Sequence, residues 1–158
     1  MTNYQRIFGA GPRGLLFSAI LLGLAGYSKA RLGLPKIIDG EALRWIALIL
    51  SMIGALVISG ASFAVMSPND RGKSLITSGV YRYVRHPLYA SLISCFNFGL
   101  ALFLNNWSFI IWAVVLHPLW HWNIKSEERL MASKFPDEYD GYCKITGRFL
   151  PRLRLFKR

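Results

Sequence analysis

The chain has 158 residues, 53% of them hydrophobic and 17% charged, with a formal net charge of +11. A soluble domain is about 45–50% apolar and about 25% charged; here the apolar excess falls in blocks free of Asp, Glu, Lys and Arg, residues 45–69 (25 positions) and 87–124 (38 positions). About 20 mostly apolar residues cross a bilayer as a helix, so these blocks exclude a soluble globular enzyme, a disordered chain and a disulfide-stapled secreted domain, and the short alternating segments of a membrane barrel are missing.

The sequence predicts an all-α integral membrane bundle: about four transmembrane helices with a cytosolic C-terminal helical extension, in one domain covering 1–158. The first span is 14–34. Its uncharged core, 14–28, is short, so Lys29 and Arg31 must snorkel to the headgroups. Arg6 and Arg13 ahead of an apolar stretch also suit a signal peptide, but Ser28-Lys29-Ala30 is a poor cleavage site, and a retained span is expected. The second span is 44–66, where Ser51, Gly54, Ala55, Ser59 and Gly60 let neighbouring helices approach closely. The third, 88–104, and the fourth, 107–124, form a hairpin about the turn signal Asn105-Asn106. The fourth helix is expected to continue unbroken to residue 134, about 42 Å at about 1.5 Å per residue. That exceeds an apolar slab of about 30 Å, so its last turns stand in the cytosol. Pro136 opens a short helix through Tyr139, Tyr142 and Cys143, and Gly147 and Pro151 end regular structure.

With four spans, both termini, the loop 67–87 and the tail 125–158 share a side. Fifteen of the 19 Lys and Arg fall there; Lys29, Arg31, Lys36 and Arg44 fall opposite. The positive-inside rule therefore puts the N- and C-termini in the cytoplasm. The net charge reads as basic loops against anionic lipid, and no nucleic-acid partner is expected because no soluble domain remains to dock a groove. Cys95 and Cys143 lie in a span and in the tail, too separated to suggest a disulfide, and no Cys-x-x-Cys pair offers a zinc site.

Two polar clusters stand out, 77–89 and 125–130. Pro87 suits the first turn of a helix, and the free N–H groups there, with Arg85 and His86, make an electropositive pocket suited to a carboxylate. Neighbouring helical positions point about 100° apart, so Glu127 and Glu128 cannot form a paired-carboxylate dyad. One faces the bundle while the other faces solvent or pairs with Lys125 or Arg129. Taken singly, each cluster also reads as a basic juxtamembrane loop or a salt-bridged helix end. Together they sit at one cytosolic edge and should meet. His117 and His121 have metal-ligand spacing, with Glu128 a geometric third ligand. Pro118 between them disturbs the helix, and Trp120 and Trp122 mark an interface, so cavity lining or packing is expected instead and no metal. Gly-rich phosphate loops and the nucleophile elbow are missing.

Ser-Gly-Val-Tyr at 78–81, Arg-His-Pro-Leu-Tyr at 85–89, Glu127-Glu128, Phe135, Tyr139, Tyr142 and the closing Arg148-Phe149-Leu150-Pro151 together resemble the isoprenylcysteine carboxyl methyltransferase and phospholipid methyltransferase family. The resemblance covers about 73–153. It implies a small helical membrane enzyme that uses S-adenosylmethionine as cofactor on a lipophilic small-molecule or lipidated substrate, with its site at the cytosolic edge. It implies that Lys73, Ser74, Leu75 and Ile76 touch the cofactor largely through backbone, that Tyr81, His86 and Tyr89 line its site, and that Glu127 binds it. Arg85, His86 and Glu128 stand as the catalytic candidates. Where prenylcysteine members carry a substrate-associated Arg, this chain has Asn123, the substrate-binding candidate. Ser91 takes the place of a Gly that many members carry. Two other classes remain open at this level: a reductase whose Lys73, Arg82 and Arg85 hold the phosphates of NADPH, and a non-catalytic membrane scaffold or transporter subunit.

Overall fold

The structure is a computed structural model that describes residues 10–66 and 74–152. Arg6, Arg71 and Lys73 lie outside the described residues. The helices are α1 (Gly11–Leu32), α2 (Glu41–Val65), α3 (Pro87–Leu104), α4 (Trp107–Asn123), α5 (Lys125–Lys134) and α6 (Pro136–Ile145). Among the described residues no strand forms, only a parallel bridge between Val84 and Gly147. α1, α2 and α3 are each long and apolar enough to cross a membrane; α4 has 17 uncharged residues.

Local chemistry sets the helix ends. Pro12 occupies the first turn of α1 and Pro87 that of α3, where a missing N–H costs nothing. α1 closes on Gly33 at φ 57°, a conformation without penalty for glycine. Asn105 turns the α3–α4 hairpin at φ 55°, a region Asn tolerates better than most residues. Its side chain accepts from Ile37 and Ile38 N–H at 2.9 Å each and donates to the Ile38 carbonyl at 2.7 Å. Asn106 caps α4 by accepting from the Ser108 N–H at 3.0 Å.

The helices pack as a row: α1 on α4, α4 on α3, α3 on α2. In this up-and-down order the start of α1, the end of α2, the start of α3 and the end of α4 gather at one end. Small residues set the closest approaches. A Cβ on Gly14 would lie 2.6 Å from the Trp120 ring, and one on Gly99 would lie 1.8 Å from Ser51 Oγ. Gly54 faces the Cys95 sulfur in the same way, whereas Gly60 faces open space, so only part of the expected small-residue stripe is packed. Ser18 ties α1 to α4, its carbonyl accepting from Trp112 Nε1 at 3.1 Å and its hydroxyl from Trp120 Nε1 at 3.0 Å. Trp120, Leu116, Ile93 and Ile124 are buried in the core, whereas Leu15, Ile20 and Leu24 of α1 and Ile49, Leu50 and Leu56 of α2 point outward. So much outward apolar surface is what lipid covers; this is a membrane protein.

Three details differ from expectation. The long helix over 107–134 is interrupted at Ile124, where ψ is −12°, well off the roughly −42° of an α-helix. This re-aims the turn that carries Glu127 and Glu128. Pro118 does not break α4; a proline removes one backbone donor but leaves the neighbouring turns to hold the helix. Within α3, residues Ser91–Phe96 wind as a π-helix, a form rare enough to need support. Part of that support comes from another helix: Ser91, which donates to the Leu88 carbonyl at 2.7 Å, meets Ser59 of α2 at 2.9 Å.

Candidate active site

The C-terminal segment returns to the start of α3 and builds the site. Arg85 N–H donates to the Gly147 carbonyl at 2.8 Å, His86 N–H to the Arg148 carbonyl at 3.2 Å, and Gly147 N–H to the Tyr83 carbonyl at 3.2 Å. The turn after it is so tight that a Cβ on Gly147 would lie 1.7 Å from the Leu150 oxygen. Residues 146–149 thus form a strap that pairs with 83–86.

Glu128 sits beneath the strap. Arg85 Nε reaches its Oε1 at 3.1 Å, Arg148 Nε reaches the same oxygen at 2.9 Å, and Arg148 Nη2 bonds Oε2. Arg85 also donates to the Thr146 carbonyl at 2.6 Å and the Cys143 carbonyl at 3.3 Å. Burial alone would raise the Glu128 pKa, but His86 and the two guanidiniums outweigh it and hold the carboxyl at about 2. The expected partners, Lys125 or Arg129, are therefore replaced by Arg85 and Arg148. The reason is the break at Ile124 and the strap, which bring two guanidiniums from distant sequence onto one carboxylate.

Glu127 is placed differently. Its Oε1 accepts from the Ala10 N–H and from the Tyr89 hydroxyl at 3.0 Å. Its Oε2 lies 4.0 Å from His86 Nδ1. Among the described residues no Lys or Arg pairs with it. Asn123, with no exposed surface, donates from Nδ2 to the Ala10 carbonyl at 2.8 Å and accepts from Arg13 Nε at 2.8 Å. Glu127 and Asn123 together bolt the start of α1 across the site.

His86 stands between the two carboxylates, with Nε2 3.6 Å from Glu128 Oε1. That separation is beyond a hydrogen bond, and Nε2 is buried without a hydrogen-bond partner among the described residues. Aromatic rings close the group. Phe149, almost fully buried, lies edge-on to His121 at 4.8 Å and 6.1 Å from His86. Tyr89 stacks near His86 at 6.0 Å and packs on Trp120 at 4.9 Å.

Of the residues singled out in the sequence, Arg85, His86, Tyr89, Glu127, Glu128 and Asn123 converge within this group. Ser74, Leu75 and Ile76 lie in irregular chain before a 3-10 turn over Gly79–Arg82. Tyr81 in that turn accepts the Tyr142 hydroxyl on its carbonyl at 2.6 Å. His121 Nδ1 is engaged by the His117 carbonyl at 2.9 Å, and their rings pack on Phe149 and Phe98. Sequence reasoning gave no role to Ala10, Arg13 or Arg148. Arg148 was visible as part of the closing motif of the family resemblance but without a partner, and Ala10 acts through its backbone, which no residue pattern reports.

The fold and site define an integral membrane helical protein with a charged, aromatic-walled group of side chains at one end of its bundle. A profile of the phospholipid methyltransferase family matches residues 40–138, and the chain belongs to that family. It is 34% identical over 100 residues to a protein-S-isoprenylcysteine O-methyltransferase of Schizosaccharomyces pombe, covering 61% of this chain and 42% of that protein. It is 30% identical over 119 residues to the cobalt-zinc-cadmium resistance protein CzcN of Cupriavidus metallidurans and to the nickel-cobalt-cadmium resistance protein NccN of Alcaligenes xylosoxydans xylosoxydans. Those matches cover 72% of this chain and 54% and 55% of the two proteins. The chain thus spans about half the length of the curated relatives it matches. No solved structure matches it.

Proposed function

We propose that the chain transfers a methyl group from S-adenosylmethionine to a nucleophilic atom of a lipophilic, membrane-resident acceptor. The observation that carries this reading is the contrast between the two adjacent carboxylates. Glu128 is neutralised by two guanidiniums, while Glu127, 4.0 Å from His86, has no Lys or Arg partner among the described residues. A partly buried carboxylate without a counter-charge is costly, and a cationic ligand removes that cost. The second sign of a ligand is His86 Nε2, a buried polar atom without a hydrogen-bond partner, of the kind that calls for explanation. An amino-acid-like, positively charged cofactor suits both.

When bound, S-adenosylmethionine supplies a methyl carbon already activated by its sulfonium. The residues then have mainly to position and desolvate. Glu127 takes the cofactor's ammonium, and its grip on Ala10 and Tyr89 fixes the carboxylate in place. His86 Nε2 offers a hydrogen bond inside the group, and for an amine or thiol acceptor it is the local proton acceptor. Tyr89, Trp120 and Phe149 exclude water. Lys73, Ser74, Leu75, Ile76 and Tyr81 are proposed as further cofactor contacts on the family resemblance. Glu128 and Arg85 act by positioning: their ion pair pins the strap and orients His86.

Four spans with both termini and the site in the cytoplasm accompany this reading. The up-and-down packing supports it, since the basic loops gather at the end that holds the site. The NADPH reading loses Arg85, whose guanidinium is spent on Glu128, Thr146 and Cys143.

The test is incubation of the protein in membranes with methyl-labelled S-adenosylmethionine, followed by separation of lipids and lipidated proteins. Label in a lipophilic product that depends on Glu127 supports the proposal; no transfer to any lipid or lipidated protein overturns it.

A further inference from the structure

We infer that Arg13 recognises the acceptor: its guanidinium binds an anionic oxygen group, carboxylate or phosphate, on the lipophilic substrate, and Asn123 is the residue that positions it. This rests on the methyl-transfer reading of the same site.

Asn123 was the sequence's candidate for touching the substrate. It is fully buried and both ends of its amide are used, on the Ala10 carbonyl and on Arg13 Nε. It has no surface to offer. The guanidinium it holds does. Arg13 is exposed, and its Nε bond to Asn123 occupies one edge of the planar group. The end-on fork of the two terminal nitrogens takes no acceptor among the described residues. Such a fork matches a carboxylate or phosphate bidentately.

The placement is also specific. Arg13 lies one helical turn from Ala10, whose N–H is held by Glu127, so it rides on the helix end that Glu127 docks at the site. Its carbon lies 5.4 Å from the Trp122 ring centroid, within cation–π range. Trp122 is 58% exposed, and tryptophan at the end of a membrane helix marks the headgroup level. A long side chain that served only to reach headgroups would gain nothing from a buried amide fixing its orientation. Holding it costs side-chain entropy, which an anchor has no reason to incur and a recognition group does.

The experiment measures binding in nanodiscs of neutral lipid, with empty discs subtracted, using two pairs of probes that differ in charge. One pair is N-acetyl-S-farnesylcysteine and its carboxamide; the other is lysophosphatidic acid and a monoacylglycerol. A charge-assisted contact of about 1.5–3 kcal/mol corresponds to about ten- to a hundred-fold in affinity. The wild type is expected to favour the anionic member of one pair by that factor. Preference in the first pair identifies a carboxylate, in the second a phosphate. Arg13→Gln should erase it, and Arg13→Lys, which keeps charge without the fork, should retain only part. Equal affinity within both pairs for the wild type, or a preference untouched by Arg13→Gln, overturns the inference. Titration of the wild type with S-adenosylmethionine runs alongside. Failure there, with the anion preference intact and lost in Arg13→Gln, would sink the methyl-transfer reading and leave the anion site standing.

Discussion

Glu128→Gln removes the charge that two guanidiniums share, and its effect can be sized from the structure. The side chain is 12% exposed, so solvent screens the pairs little. The carboxyl titrates at about 2 against an ordinary 4.5, a depression of roughly 2.5 units, which at about 1.4 kcal/mol per unit is about 3 kcal/mol. A depressed pKa stabilises the folded chain only while the group is ionised. The contribution is complete above pH 4.5 and is lost as pH falls toward 2. At neutral pH the variant leaves Arg85 and Arg148 facing a neutral amide, and stranding one side of a buried pair costs about 3–5 kcal/mol. Denaturant unfolding in detergent, followed at pH values from 7 to 2, separates the two effects. The wild type should lose about 3 kcal/mol relative to the variant between pH 4.5 and 2, with the two curves converging at the acid end. Parallel curves with equal stability at pH 7 would show that Glu128 is not clamped as described.

Other substitutions probe how the site is held. Gly14→Ala puts a methyl group 2.6 Å from Trp120 and 2.7 Å from Asn123 Nδ2, pushing α1 off α4. Because Ala10 rides on α1, cofactor affinity measured by calorimetry should fall about tenfold or more, although the altered residue touches no ligand. Gly147→Ala cannot keep the turn against the Leu150 oxygen and should release the strap, read as faster proteolysis after residue 145 and a lowered melting temperature. Cys95→Ser should change little, since a hydroxyl is no larger than the thiol that seats against Gly54 and keeps the bond to the Ser51 carbonyl, and a shift of melting temperature within about 2 °C is expected.

The sequence exposed the helices because their signal is local. The ends of the observed α1, α2, α3 and α4 fall within three residues of the expected boundaries, since apolar runs and the Asn105-Asn106 turn announce themselves. The meeting of His86 with Glu127 and Glu128 was also foreseeable, from a common end of the bundle and the motif around Pro87. What stayed hidden depends on contacts between distant residues. The row α1–α4–α3–α2 follows from Gly14 fitting Trp120 and Gly99 fitting Ser51, pairings that no periodicity encodes. Adjacent acidic residues gave no hint that one would take two arginines and the other none. That depends on the ψ of Ile124 and on Arg148 arriving from 20 residues further along. The π-helix over Ser91–Phe96 has no composition of its own, and its partner Ser59 bonds to it from another helix.

The most direct test of the account is calorimetric titration of purified, membrane-embedded protein with S-adenosylmethionine, wild type against Glu127→Gln. The amide keeps an oxygen for Ala10 and Tyr89, so the start of α1 stays docked while the negative charge is gone. Loss of a charged hydrogen bond worth about 1.5–3 kcal/mol predicts an affinity lower by about ten- to a hundred-fold, with the melting temperature of the ligand-free protein nearly unchanged. Equal affinity in the two proteins would contradict the assignment of Glu127 as the cofactor's counter-charge.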